Sequence, residues 1–282
     1  MNRIQLNYVS DFMYTEEDIL KDTPLIKVIK AYDVNLKRNV CIKQIRVNEK
    51  NRKEKEQAIN EAVVMQKYSE QTPFIPQIYF YTFDEKHQTL NIVMEWINGE
   101  TLTEIMSVQN FPLNKFLNYM IELCDILICF EKNHESHKDI KPDNIMIDKK
   151  NHVHLIDFNI TYSLTNLIEG TPYYKAPEMD GKIIKCVDRS KVDQFSIGVM
   201  LYEFTTKNLP KNLMHYYVKD SHAKKEWDKF VQPKQLNEKI SDSLNSIICT
   251  CMKLDPKDRY ASLSKLKQDL ERACHEKRKY KK

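Results

Sequence analysis

Two short polar clusters at a fixed interval constrain this chain more than any other feature. The first is His137-Lys138-Asp139-Ile140-Lys141-Pro142-Asp143-Asn144, and the second is Asp157-Phe158-Asn159. Apolar runs lie between them, Ile145-Met146-Ile147 and then Val153-His154-Leu155-Ile156. The whole reads as loop, strand, turn, strand, loop, with the polar groups at the strand ends. Two carboxylates, an ammonium and a carboxamide are thereby gathered in one place. That set suits phosphoryl transfer, whose loose transition state needs in-line positioning and neutralised phosphate charge more than covalent help. An Asp can accept a hydroxyl proton, a second Asp and the Asn can hold Mg²⁺, and a Lys can offset developing charge.

The chain has 282 residues, long enough for one large two-lobed domain or two ordinary ones. A net charge of +4, dispersed over the sequence, argues against a nucleic-acid partner. The basic run from Lys277 to Lys282 reads as a solvated tail. Seven cysteines, several in apolar runs such as Leu123 to Cys129, suggest reduced core thiols and a cytoplasmic protein. Cys249-Thr250-Cys251 is too close for an ordinary metal pair, so no zinc site is read. Neither a signal peptide nor a membrane span is expected.

Residues 1–20 suggest a short lead-in and one strand. Strands are expected over Leu25–Tyr32 and Val40–Ile45, joined by a polar turn, and over Tyr79–Phe83 and Leu90–Met94, joined at Asp84-Glu85-Lys86. A helix is expected over Glu54–Tyr68, with Ile59, Ala62, Val63 and Met65 on its recurring face. A second amphipathic helix is expected over Asn114–Asn133.

The two polar clusters, followed by Ala176-Pro177-Glu178, resemble the catalytic loop, metal-binding turn and A-P-E segment of the protein kinase family. The resemblance runs from about residue 20 to 272. It implies an α+β, bilobal protein-kinase-like fold: a small β-rich N-lobe with one main helix, to about residue 96, and a larger, mainly helical C-lobe from about 99. Residues 1–19 are then a lead-in and 273–282 a basic tail.

The resemblance further implies an ATP-dependent serine/threonine kinase using Mg²⁺, with Mn²⁺ as an alternative ion, and a protein substrate bearing a Ser or Thr acceptor. It makes Asp139, Lys141 and Thr171 catalytic, and Asn144 and Asp157 the metal ligands. Lys43, held by Glu61, would fix the α- and β-phosphates. Val28, Cys41, Met94, Glu95, Ile97 and Met146 would surround the nucleotide, with the Glu95 and Ile97 backbones at the adenine edge. Met65 would pack against Phe158. Asp193 would brace the catalytic loop, and Arg259 would pair with Glu178. Thr161, Ser163 and Thr165 are candidate autophosphorylation sites, and Lys138 stands where the family carries Arg.

One part of the family pattern is missing. The three positions of its Gly-rich loop fall on Lys21, Thr23 and Ile26, with Pro24 between, and Asn159 replaces the glycine after Asp157-Phe158. Glycines let backbone approach phosphates closely and reach φ > 0, which Cβ atoms hinder, and Pro24 also lacks an N–H. Asn159 is the milder change, since Asn tolerates left-handed geometry. Three readings follow: a kinase with a degenerate phosphate loop, a pseudokinase acting as a binding module, or a kinase-fold adenylyltransferase. Substrate identity and oligomeric state are not readable.

Overall fold

The computed structural model describes residues 7–9, 12–47, 52–158, 173–179, 191–210 and 230–279. The chain divides into two compact units, Met1–Asn98 and Gly99–Lys282.

The first unit is a six-stranded antiparallel sheet in the order β1-β2-β3-β4-β6-β5. Its strands are β1 (Asn7–Val9), β2 (Phe12–Asp22), β3 (Ile26–Asp33), β4 (Arg38–Arg46), β5 (Ile78–Asp84) and β6 (Thr89–Glu95). The segment read from sequence as a lead-in with one strand thus supplies two. Register sorts the side chains by face, because directly opposed residues share one. Ile29, Ile42 and Val93 stand opposite one another and are fully buried in an apolar cluster with Tyr14, Ala31 and Val40. The other face carries Val28, Lys43 and Ile92, and beside them Lys30, Cys41 and Met94. Alternation along β4 therefore places Cys41 and Lys43 away from the apolar cluster.

Helix α1 (Arg52–Ser69) completes this unit. Its buried face is Ala58, Glu61, Ala62, Met65 and Tyr68, a spacing of three or four residues. Val63, expected on that face, is exposed, and Val64 is buried in its stead. At 100° per residue, Val63 lies nearly opposite Glu61 and Met65.

The second unit opens with a three-stranded sheet, β7 (Gly99–Thr101), β8 (Ile145–Asp148) and β9 (Val153–Leu155). A Cβ on Gly99 would fall 2.1 Å from the Ile147 carbonyl oxygen, so only glycine lets β7 approach β8 here. The remaining described elements are mainly helical: α2 (Leu102–Ser107), α3 (Leu113–Lys132), α4 (Val192–Thr206), α5 (Pro233–Leu236), α6 (Asp242–Cys251) and α7 (Leu263–Lys279). Helix α3 buries Phe116, Met120, Leu123, Leu127 and Phe130 at helical spacing. Helix α4 is buried on every side except at Glu203, as befits a helix at the centre of a unit. Gly198 is where α6 crosses it; an added Cβ would lie 2.7 Å from the Cys251 and Met252 side chains.

Arg259 holds the end of this unit together. Its guanidinium meets Glu178 bidentately at 2.5 and 2.8 Å, and its remaining N–H groups reach the carbonyls of Lys253, Lys191 and Leu254. Every donor of the guanidinium fork is accounted for, which is what a buried arginine requires. The six cysteines among the described residues are free thiols. No helix among the described residues is long and apolar enough to cross a membrane.

Candidate functional site

In the first unit the candidate site is an ion pair. Lys43 projects from β4 and Glu61 from α1, and Nζ meets Oε1 at 2.6 Å with both side chains nearly inaccessible. Burying two charges is costly unless they pair, so the contact holds the lysine in one place. Cys41, two residues before Lys43 on the same face, has its thiol pushed up to about 12 by burial, with the Lys43 ammonium pulling the other way. It is therefore a neutral, apolar wall. Val28 is the strand partner of Lys43, and Met94 that of Cys41. Met94 and Ile97 are buried. The Glu95 N–H donates to the Gln77 carbonyl at 2.9 Å.

In the second unit the candidate residues lie on one loop and the turn after β9. His137 and Lys138 donate their backbone N–H groups to the two oxygens of Asp193, at 2.8 and 2.9 Å. Lys138 has φ 70°, left-handed for a residue with a Cβ, and this brace from Asp193 of α4 offsets that strain. Asp193 is fully buried; lost hydration pushes its carboxyl up to about 6, against the pull of the two N–H groups and the Lys138 charge.

Asp139 follows at once. Lys141 Nζ and Asn144 Nδ2 both donate to its Oδ2, at 2.8 and 2.9 Å, and Asn144 also donates to its carbonyl at 2.9 Å. Pro142–Asn144 forms a 3₁₀ turn, which brings Asn144 back over Asp139. Because the amide nitrogen is fixed on Asp139, the Asn144 oxygen is oriented as an acceptor or ligand. Thr103 steadies the loop from α2 by a 2.6 Å bond to Asp143, a contact that no spacing in the sequence signals.

The turn after β9 is tied to the same loop, for Ile156 N–H donates to the Asn144 carbonyl at 2.9 Å. Asp157 sits at φ 65°, in the left-handed region. His137 lies against Phe158 with ring centroids 4.9 Å apart, and Phe158 stacks on Phe130. Burial holds the His137 imidazole down to about 4, against the Asp139 and Asp157 charges and a hydrogen bond with the Asp157 backbone. It is a neutral packing piece between the loop and the turn, a role the motif alone does not reveal. Met146 is half-buried in β8. Asn159, Thr161, Ser163, Thr165 and Thr171 lie outside the described residues.

The donor chemistry suits a magnesium ion. Among the described residues no group of three or more His, Cys, Asp or Glu side chains could enclose a metal. An Asp and an oriented carboxamide oxygen fit instead a hard cation that keeps waters and shares substrate phosphates.

Comparison with known proteins agrees with this geometry. The family model described as protein kinase domain matches residues 25–270. A probable serine/threonine-protein kinase of Clostridium perfringens is 30% identical over 190 residues, covering 64% of this chain and 27% of that protein. The serine/threonine-protein kinase PknB of Mycobacterium leprae is 27% identical over 194 residues, 64% of this chain and 29% of its own. PrkC of Bacillus subtilis is 28% identical over 215 residues, 70% of this chain and 31% of its own. The chain therefore spans less than a third of the length of these relatives.

Proposed function

The chain belongs to the eukaryotic-type serine/threonine protein kinase family, and on that premise we propose that it transfers the ATP γ-phosphoryl group to Ser or Thr hydroxyls of proteins. The observation that carries this reading is the division of labour on Asp139. Both side-chain hydrogen bonds land on Oδ2, which leaves Oδ1 to orient an acceptor hydroxyl and take its proton.

Lys141, 2.8 Å from that carboxylate, is the cation that offsets charge on the phosphoryl group in flight. Asn144 and Asp157 would hold Mg²⁺, which neutralises phosphate charge and orients the chain of phosphates. Lys43, kept in place by Glu61, grips the α- and β-phosphates. Val28, Cys41, Met94 and Ile97 supply the apolar surroundings of the base. Cytoplasmic residence rests on the free, partly buried thiols, and autophosphorylation would fall on Thr161, Ser163 or Thr165.

The test is intact-mass measurement after incubation with Mg²⁺-ATP and a basic acceptor protein, beside an Asp157→Ala control. Phosphoryl increments that vanish in the control are expected. A wild-type protein that adds none, to itself or to the acceptor, overturns the reading. A second reading, a non-catalytic binding module, draws support from the turn between β2 and β3, where the N–H groups of Thr23 and Ile26 bond within the turn at 2.9 and 3.0 Å and Pro24 has none.

A further inference from the structure

The turn from Thr23 to Ile26, whose N–H groups bond internally, cannot gather donors around a phosphate as a Gly-rich loop does. The Thr23 hydroxyl closes it in both directions. It accepts from Ile26 N–H and donates to the Ile26 carbonyl at 2.9 Å, so it stands in for a backbone carbonyl. A phosphate contact from this part of the unit therefore has to come from a side chain.

Strand β2 supplies one through an irregularity in its pairing with β3. Ile19 stands opposite Ile29, on the face of the apolar cluster. Plain alternation beyond Ile19 would put Lys21 on that same face and Asp22 on the face of Lys43. Instead the ladder slips between Ile19 and Lys21, which leaves Leu20 as an extra residue and sets Lys21 opposite Val28. A bulge of this kind re-aims the side chains that follow it. Val28 in turn stands opposite Lys43. Lys21, Val28 and Lys43 thus form one row on one face, and Asp22, opposite Lys27, is turned to the other. Two strand spacings, about 10 Å, separate the backbones of the lysines, with half-buried Val28 between them.

The charges on this face single out Lys21. Lys43 is offset by Glu61 at 2.6 Å, and Lys30, one row along, by Glu17 at 2.5 Å. Asp18 also stands opposite Lys30, so that row carries a net negative charge and repels an anion. Lys21 is exposed and enters no ion pair among the described residues.

We propose that Lys21 is a second phosphate-binding residue, which holds the phosphate chain of the nucleotide from β2 while Lys43 holds it from β4. Side-chain charge then replaces the backbone cradle. This rests on the kinase reading above. A lysine suits the task, because its ammonium is a compact charge on a flexible stem and needs no fixed geometry.

The experiment is calorimetric titration of the full chain with Mg²⁺-ATP and with adenosine at low ionic strength. Wild type is compared with Lys21→Met, Lys21→Arg and Lys27→Met. Lys27 carries the same charge on the opposite face and serves as the control. Thermal unfolding checks that each variant is folded. Lys21→Met should weaken Mg²⁺-ATP binding about three- to tenfold and leave adenosine unmoved. Lys21→Arg should restore most of the affinity, and Lys27→Met should cost less than about twofold. The Lys21 effect should shrink as salt is raised, since the contact lies at an exposed rim.

A folded Lys21→Met protein that binds Mg²⁺-ATP as wild type does overturns the proposal, and leaves the kinase reading standing wherever wild type phosphorylates the acceptor. An equal loss for Lys27→Met, or an equal loss of adenosine, overturns it too, because the effect then lies in overall charge or in packing. Wild-type binding that depends on Lys21 without any phosphoryl transfer keeps Lys21 and sinks the kinase reading. A wild type that binds no Mg²⁺-ATP sinks both.

Discussion

Arg259 and Glu178 form a fully buried bidentate pair across 81 residues of sequence, with contacts of 2.5 and 2.8 Å. Removing one partner leaves an uncompensated charge in the interior. Arg259→Ala or Glu178→Ala should therefore lower unfolding stability by about 3–5 kcal/mol. Replacing both with apolar residues of similar volume should recover much of the loss. Urea unfolding of the single and double variants measures this, and additive losses would contradict it.

Asp139→Asn keeps a side chain that can still face Lys141 and Asn144 but cannot take a proton. The turnover number should fall roughly 10²- to 10⁴-fold. Nucleotide affinity should stay near wild type. Turnover equal to wild type would remove Asp139 from proton transfer.

Glu61 acts through Lys43, so Glu61→Gln should raise the KM for ATP while the KM for the acceptor protein hardly moves. Lys43→Met should raise the ATP KM further, about tenfold or more, with the loss of a charge-assisted contact. Equal changes in both KM values would indicate general unfolding of the unit rather than a loosened phosphate grip.

His137 gives a pH signature with a defined sign. Its imidazole is held down to about 4 by burial, from an ordinary 6.5, so the native state binds fewer protons than the unfolded chain between those values. The stability it contributes is complete above pH 6.5 and is lost as pH falls towards 4, on the order of 3 kcal/mol. Asp193, pushed up to about 6 from 3.8, acts in the opposite sense: its contribution falls as pH rises from about 4 to 6. The two largely cancel in the wild type. Substituting His137→Gln leaves only the Asp193 part, so the destabilisation by this variant should be larger at pH 6.5 than at pH 4.5. Nuclear magnetic resonance should also show the His137 ring neutral down to about pH 4; a midpoint near 6.5 would refute its burial.

Gly198→Ala puts a methyl group against Cys251 and Met252, both buried. Overpacking of this kind destabilises by about 1–3 kcal/mol. The melting temperature of the variant reads it directly.

How much of this was legible beforehand depended on where each role is written. The roles proposed for Asp139, Lys141, Asn144 and Asp157 rest on side chains at fixed spacing, and the structure gathers the first three into one hydrogen-bonded group. Lys43 and Glu61 were legible because strand and helix periodicity places each on a definite face. The buried face of α1 was read one residue out at Val63, which at 100° per residue falls nearly opposite Glu61 and Met65, whereas Val64 falls 60° from Glu61 and is buried. The closure of the turn from Thr23 to Ile26 was illegible. Missing glycines show what Thr23 and Ile26 do not do, but a hydroxyl standing in for a carbonyl leaves no pattern. His137 hid its packing role for a related reason, because the rings that enclose it, Phe130 and Phe158, come from separate segments.

The brace on the catalytic loop has a bearing on the order of events during synthesis. His137 and Lys138 take their geometry from Asp193, which lies 56 and 55 residues later in the chain. On a ribosome the loop emerges well before the carboxylate that shapes it, and domains form as their parts become available. Until α4 has been made and docked, the two Asp193 contacts that brace the loop are missing. On the proposed function, the nascent chain would present Asp139 as a braced proton acceptor only once the centre of the second unit has closed on the loop.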